Sequence, residues 1–78
     1  MDAPKHGIIL FDTTQAAMRA EKVLEQAGIK TKLIPVPRHI SANCGISLRF
    51  DLILADRVKS ELMKMRVPIS SILPLEKI

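Results

Sequence analysis

The chain has no tryptophan, no tyrosine, two phenylalanines and a single cysteine, Cys44. Each shortage removes a class of protein. One cysteine cannot build an internal disulfide framework, nor any CxxC metal or redox motif. A lone thiol suits a reducing compartment, so the expected location is cytoplasmic. The scarcity of aromatic rings argues against nucleic acid as a partner. An RNA-recognition domain stacks bases on aromatics of its central strands, and here Ile46 and Leu48 stand where such rings would be needed. Long apolar runs are also missing. Ile8 to Phe11 and Leu52 to Ala55, the longest, hold four residues each, against roughly 20 for a helix that crosses a membrane. No membrane association is expected, and the N-terminal residues have no apolar stretch of the kind a secretory signal needs.

The chain is nonetheless rich in core-forming side chains. With 47% hydrophobic and 26% charged residues it falls in the globular range. Its 78 residues suffice for one small domain, and a chain of this size buries only about 60% of the surface its unfolded form exposes. A second copy would help to stabilise it, so a homodimer is expected over a monomer. The net charge of +4 is read as a solubility feature with a weak pull on acidic partners. The expected organisation is a flexible N-terminal tail over residues 1–6 and a single small α+β domain over residues 7–78.

Ile8-Ile9-Leu10-Phe11 is the mark of a strand buried on both faces. Asp12, Thr13 and Thr14 offer oxygens to the free amides of a following helix, and Gln15 fits a loose capping box with Asp12. Ala16, Ala17, Ala20, Val23, Leu24 and Ala27 then recur at helical spacing, with Arg19, Glu21, Lys22, Glu25 and Gln26 opposite. Gly28 stands where a left-handed cap is wanted, with Ile29 placed to fold back. Lys30 to Ile34 reads as a strand ended by Pro35 and Pro37. Cys44 to Phe50 reads as another, with Ile46, Leu48 and Phe50 on one face and Ser47 and Arg49 on the other. Asp51 is a candidate cap for a helix striped by Leu54, Val58, Leu62 and Met65 and stopped by Pro68. Met63 and Met65 read as core and rim. Ile69 to Leu75 gives a last strand, interrupted by Pro74.

This order of strand, helix, strand, strand, helix, strand is that of the ferredoxin-like split βαβ fold, a four-stranded antiparallel sheet with two helices on one face. The prolines agree with it. Proline removes a ladder donor and is tolerated at sheet edges. The second and fourth strands, the edges in this topology, carry Pro35 and Pro74, while the first and third carry none.

Chemistry concentrates between the second and third strands. The connection of roughly nine residues exceeds the usual two to five. It holds Arg38, His39, Ser41, Asn43 and Cys44, followed by Gly45, and two prolines stiffen its start. Gly45 allows a close backbone approach or a positive φ beside the sulfur. A free thiol is only a few per cent ionised at neutral pH, and Arg38 and a protonated His39 are sources of stabilisation for its anion. The plainer reading of Cys44 stands beside this one. It shares parity with Ile46, Leu48 and Phe50, and a cysteine on an apolar strand face packs as a small hydrophobe. His6, His39 and Cys44 have no recognised metal spacing. No P-loop or paired carboxylates are present, so neither a cofactor nor a metal is expected, and a free-standing enzyme is disfavoured.

The segment Pro37-Arg38-His39-Ile40-Ser41-x-x-Cys44-Gly45-Ile46-x-Leu48-x-Phe50, after a strand and an alanine-rich helix, resembles the selenium/sulfur (Se/S) carrier protein-like family. The resemblance covers nearly the whole chain, and the proline-interrupted last strand departs from it. It implies a carrier that holds a persulfide or selenide on Cys44, with Arg38, Ser41 and Gly45 as matching neighbours and His39 as an addition. It also implies sulfur or selenium donor and acceptor proteins as partners. The alternative function is a non-catalytic ligand-sensing or protein-interaction module in which Cys44 is a core residue.

Overall fold

Consecutive residues of a strand point to opposite faces of its sheet, so an unbroken apolar run needs cover on both sides. In the computed structural model, which describes residues 5–38, 40 and 45–75, that run forms the middle of the molecule. Strand β1 (His6–Leu10) is flanked on one side by β3 (Ile46–Asp51) and on the other by β4 (Ser71–Leu75), with β2 (Thr31–Pro35) beyond β3. All pairings are antiparallel. Helix α1 (Thr14–Gln26) joins β1 to β2, and α2 (Ala55–Lys64) joins β3 to β4. This is the ferredoxin-like α+β order expected from the sequence, with β2 and β4 at the edges. Pro35 ends β2 and Pro74 lies within β4, where neither costs the central strands a hydrogen bond. β1 starts at His6, and the carbonyl of Lys5 accepts from Leu52 N–H at 3.0 Å.

The two faces of the sheet differ. Ile9, Phe11, Leu48 and Phe50 join Ala16, Ala17, Ala20 and Leu24 of α1 and Val58 and Leu62 of α2 in one buried cluster, so both helices cover the same face. Gly7 makes that packing possible. A Cβ at this position would lie 2.7 Å from Phe50 Cζ and 2.9 Å from Leu52 Cδ1, so the Phe50 ring occupies the space a side chain would need. On the opposite face Ile8 and Leu10 are also buried, as is Ser47, whose hydroxyl donates to the Ile34 carbonyl at 3.2 Å. The reading of β1 as a strand buried on both faces therefore holds.

The helix ends follow local chemistry, with three departures from expectation. Thr13, not Asp12, is the N-cap of α1, its hydroxyl oxygen accepting from Ala16 N–H at 3.1 Å, and alanine at that third position cannot complete a capping box. The other end is as expected. Gly28 takes φ +79°, its N–H reaches Glu25 O, and Ile29 N–H reaches Leu24 O, closing a Schellman motif. Asp51 does not cap α2. A 3₁₀ turn (Leu52–Leu54) intervenes, and the Asp51 carboxylate turns to His6 instead, 3.6 Å from its Nε2. Nor does Pro68 stop α2. The helix ends at Lys64 in a second Schellman motif, in which Arg66 takes φ 56°, its N–H bonds to Met63 O and Val67 N–H bonds to Leu62 O. Because the chain reverses there, Val67 fills the core place assigned to Met65. Met65 and Met63 are exposed rather than core and rim.

The helices also cap each other. Arg19, midway along α1, donates from Nη2 to the Met65 carbonyl at the end of α2. Arg57, near the start of α2, donates from Nη2 to the Ala27 carbonyl at the end of α1, at 2.8 Å. Each C-terminus, where carbonyls lack intrahelical partners and the dipole is negative, thus receives a guanidinium from its antiparallel neighbour.

Candidate functional site

The chemistry-bearing segment leaves the sheet between β2 and β3, at the end where α1 begins. Pro35 and Ile46 are the last cross-strand partners of the ladder. One step further, Val36 N–H donates to the Gly45 carbonyl at 3.1 Å, so the loop is closed at its base by a rung beyond the sheet proper. Prolines on either side of Val36 hold φ near its extended value and lower the entropy lost in fixing this neck. The chain then turns at once, with Ile40 N–H donating to Pro37 O at 3.0 Å. Arg38 lies in this turn with an exposed side chain, while Ile40 is half-buried.

Gly45 forms the other side of the neck. It is exposed, and a Cβ there would meet no atom of the described residues within 4 Å. Its φ is not positive; among the described glycines that conformation belongs to Gly28. Of the two roles read for Gly45, a close backbone approach or a positive φ, the second is not taken. Its carbonyl accepts from Val36 N–H one step beyond the ladder, at a bend that leads into β3. What remains of its expected role is open space beside the neck.

Of the five expected site residues, the structure brings Arg38 and Gly45 to the neck and turn of one loop. Cys44, His39 and Ser41 lie outside the described residues, and with Cys44 the reading of its parity. Among the described residues no group of three or more His, Cys, Asp or Glu side chains is placed to hold a metal ion. Among them, too, no helix is long and apolar enough to cross a membrane.

The family model described as "Putative Se/S carrier protein-like" matches residues 6–74. The chain belongs to this family. The match runs from β1 through the neck and turn of the loop and into β4, so it includes every residue singled out for carrier chemistry. The chain is also similar to an uncharacterized protein of Methanocaldococcus jannaschii, with 36% identity over 56 residues. That similarity takes in 72% of this chain and 28% of the archaeal protein, so the chain spans under a third of its relative's length. No solved structure matches the chain.

Proposed function

We propose that this protein carries one sulfur or selenium atom on the thiol of Cys44, taking it from a donor protein and passing it to an acceptor. The observation that carries this reading is the family match across residues 6–74, which includes the Pro37 to Gly45 loop. The pinned neck and the uncrowded Gly45 support it. The thiolate of Cys44 attacks the terminal sulfur of a donor persulfide. A new sulfur–sulfur bond forms on Cys44, the donor's sulfur–sulfur bond breaks, and the donor leaves as its thiolate. Transfer to an acceptor thiolate is the same step reversed in role, and selenium takes the place of the terminal sulfur without changing the balance. Arg38 and a protonated His39 stabilise the attacking anion, Ser41 offers it a hydroxyl donor, and Gly45 leaves the approach open. With no second cysteine the cargo cannot be trapped as an internal disulfide, which suits a carrier in the reducing cytoplasm.

Incubation with a cysteine desulfurase and cysteine, followed by intact mass measurement, tests the proposal. A one-sulfur adduct is expected on the wild type and none on Cys44→Ser. Arg38→Gln should slow alkylation of the thiol at neutral pH. An unloaded wild type with a thiol no more reactive than free cysteine would instead make Cys44 a packing residue.

A further inference from the structure

The β2–β3 register sets two cations face to face. Lys32 and Arg49 are direct cross-strand partners, and like charges directly opposed in an antiparallel pair destabilise it. They lie at the end of the hairpin remote from the Cys44 loop. Together with His6, Lys30, Thr31, Phe50 and Asp51 they line an open groove of about 300 Å³. Among the described residues the one carboxylate there, Asp51, is turned to His6 at 3.6 Å. Among the described residues no carboxylate comes within ion-pair distance of Lys30, Lys32 or Arg49. Arg49 is also half-buried, so its charge has given up part of its hydration without gaining a counter-ion among the described residues.

We infer that this groove binds an oxyanion of the phosphate class, free or as the terminal group of a small molecule. Lys30, Lys32 and Arg49 against Asp51 give the described lining a formal charge of +2 before His6 is counted, the complement of a phosphomonoester dianion. The guanidinium of Arg49 supplies a planar fork that matches two phosphate oxygens, and Lys30 and Lys32 supply point charges from the neighbouring β2 side. The groove is at the lower end of the range for small-molecule sites, larger than a bare phosphate requires. Asp51 then stands at hand to accept from a ligand hydroxyl. Binding an anion between Lys32 and Arg49 removes their mutual repulsion, so this opposed pair is a cost only in the empty protein. The site is independent of the carrier chemistry.

A titration of backbone amide chemical shifts with inorganic phosphate, at ionic strength held constant with chloride, reads this directly. Saturable shifts are expected at residues 30–32 and 49–51. Lys32→Gln and Arg49→Gln should each weaken binding about tenfold or more, the loss of one charge-assisted hydrogen bond. Both variants should melt no lower than the wild type in phosphate-free buffer, because each removes the like-charge opposition. Lys30→Gln, just before β2, serves as a third variant with little bearing on folding and should also weaken binding. Shifts reproduced by chloride alone, shifts centred elsewhere, or undiminished binding by all three variants overturn the assignment. A nucleoside monophosphate that binds more tightly than phosphate, with added shifts at His6 and Asp51, identifies an esterified small molecule as the ligand. Equal affinities identify free phosphate. A polyglutamate peptide that saturates the same amides at lower concentration than either overturns the phosphate assignment in favour of an acidic protein partner.

Discussion

Gly7 shows how a residue without a side chain can be the most constrained position in a core. It sits opposite Phe50 in the β1–β3 ladder, on the face the helices cover, and the Phe50 ring lies across its backbone. Alanine here would place a methyl group 2.7 Å from the ring and 2.9 Å from Leu52. The half-buried Leu52 side chain can swing aside, but the fully buried Phe50 ring is packed on every side and has little room to retreat. Overpacking of this kind costs about 1–3 kcal/mol, a large share of the margin of so small a domain. Gly7→Ala is expected to lower the urea midpoint with the slope of the transition unchanged. An alanine variant as stable as the wild type would mean that the Phe50 ring has another rotamer available. No local pattern announces this role, because the ring that demands the glycine is distant in sequence. Gly28 is the contrary case. Its place just after the last apolar helical position marks it as a cap from the chain order alone, whereas Arg66, in the same conformation, carries no such mark.

At the scale of elements, the two guanidinium contacts tie the helices to each other independently of the core. Arg57 serves the end of α1 and Arg19 the end of α2. Both contacts are exposed, so solvent screening reduces what a charge-assisted hydrogen bond would otherwise contribute. Arg57→Ala is expected to cost about 0.5–1 kcal/mol and to speed amide exchange in the last turn of α1. Arg19→Ala should do the same in the last turn of α2. The contacts lie at opposite ends of the helix pair and share no partner, so the double variant should show the sum of the single effects. A marked excess or deficit over that sum would mean that the helices move as one unit when either cap is lost. Topology was legible at this scale because it leaves local traces. Pro35 and Pro74 mark the edge strands, and the run from Ile8 to Phe11 marks a central one. The 3₁₀ turn after β3 leaves none, so Asp51 looked like a helix cap although its carboxylate is turned to His6. The loop between β2 and β3 was legible too, since its length and its rare residue types lie together in the chain. The basic groove was not, because only the register of β2 on β3 and of β3 on β1 gathers Lys32, Arg49 and His6.

Across the whole molecule, the β2–β3 hairpin separates two regions of different chemistry. Its loop end carries the pinned neck of the Cys44 segment, and its other end carries the basic groove. From the opposed pair Lys32 and Arg49 to the last rung, Pro35 and Ile46, the ladder runs three residues, or about 10 Å at 3.3 Å per residue. That already matches the Debye length of about 10 Å at 0.1 M salt, so charge at the groove is largely screened from the loop. Among the described residues the two ends are joined by a continuous antiparallel ladder with buried Leu48 and Ser47 at its centre. Energetic coupling between distant sites requires a discrete two-state element that both sites bias. The two activities should therefore be separable by mutation. Arg49→Gln is expected to accept a sulfur atom at the wild-type rate and extent while losing phosphate binding. Cys44→Ser is expected to bind phosphate with unchanged affinity while taking up no sulfur. Intact mass kinetics on the first variant and amide-shift titration on the second measure both halves. A fall of severalfold in sulfur loading by Arg49→Gln at 0.1 M salt would refute the separation, and would mean that the groove receives part of the donor protein rather than a ligand of its own.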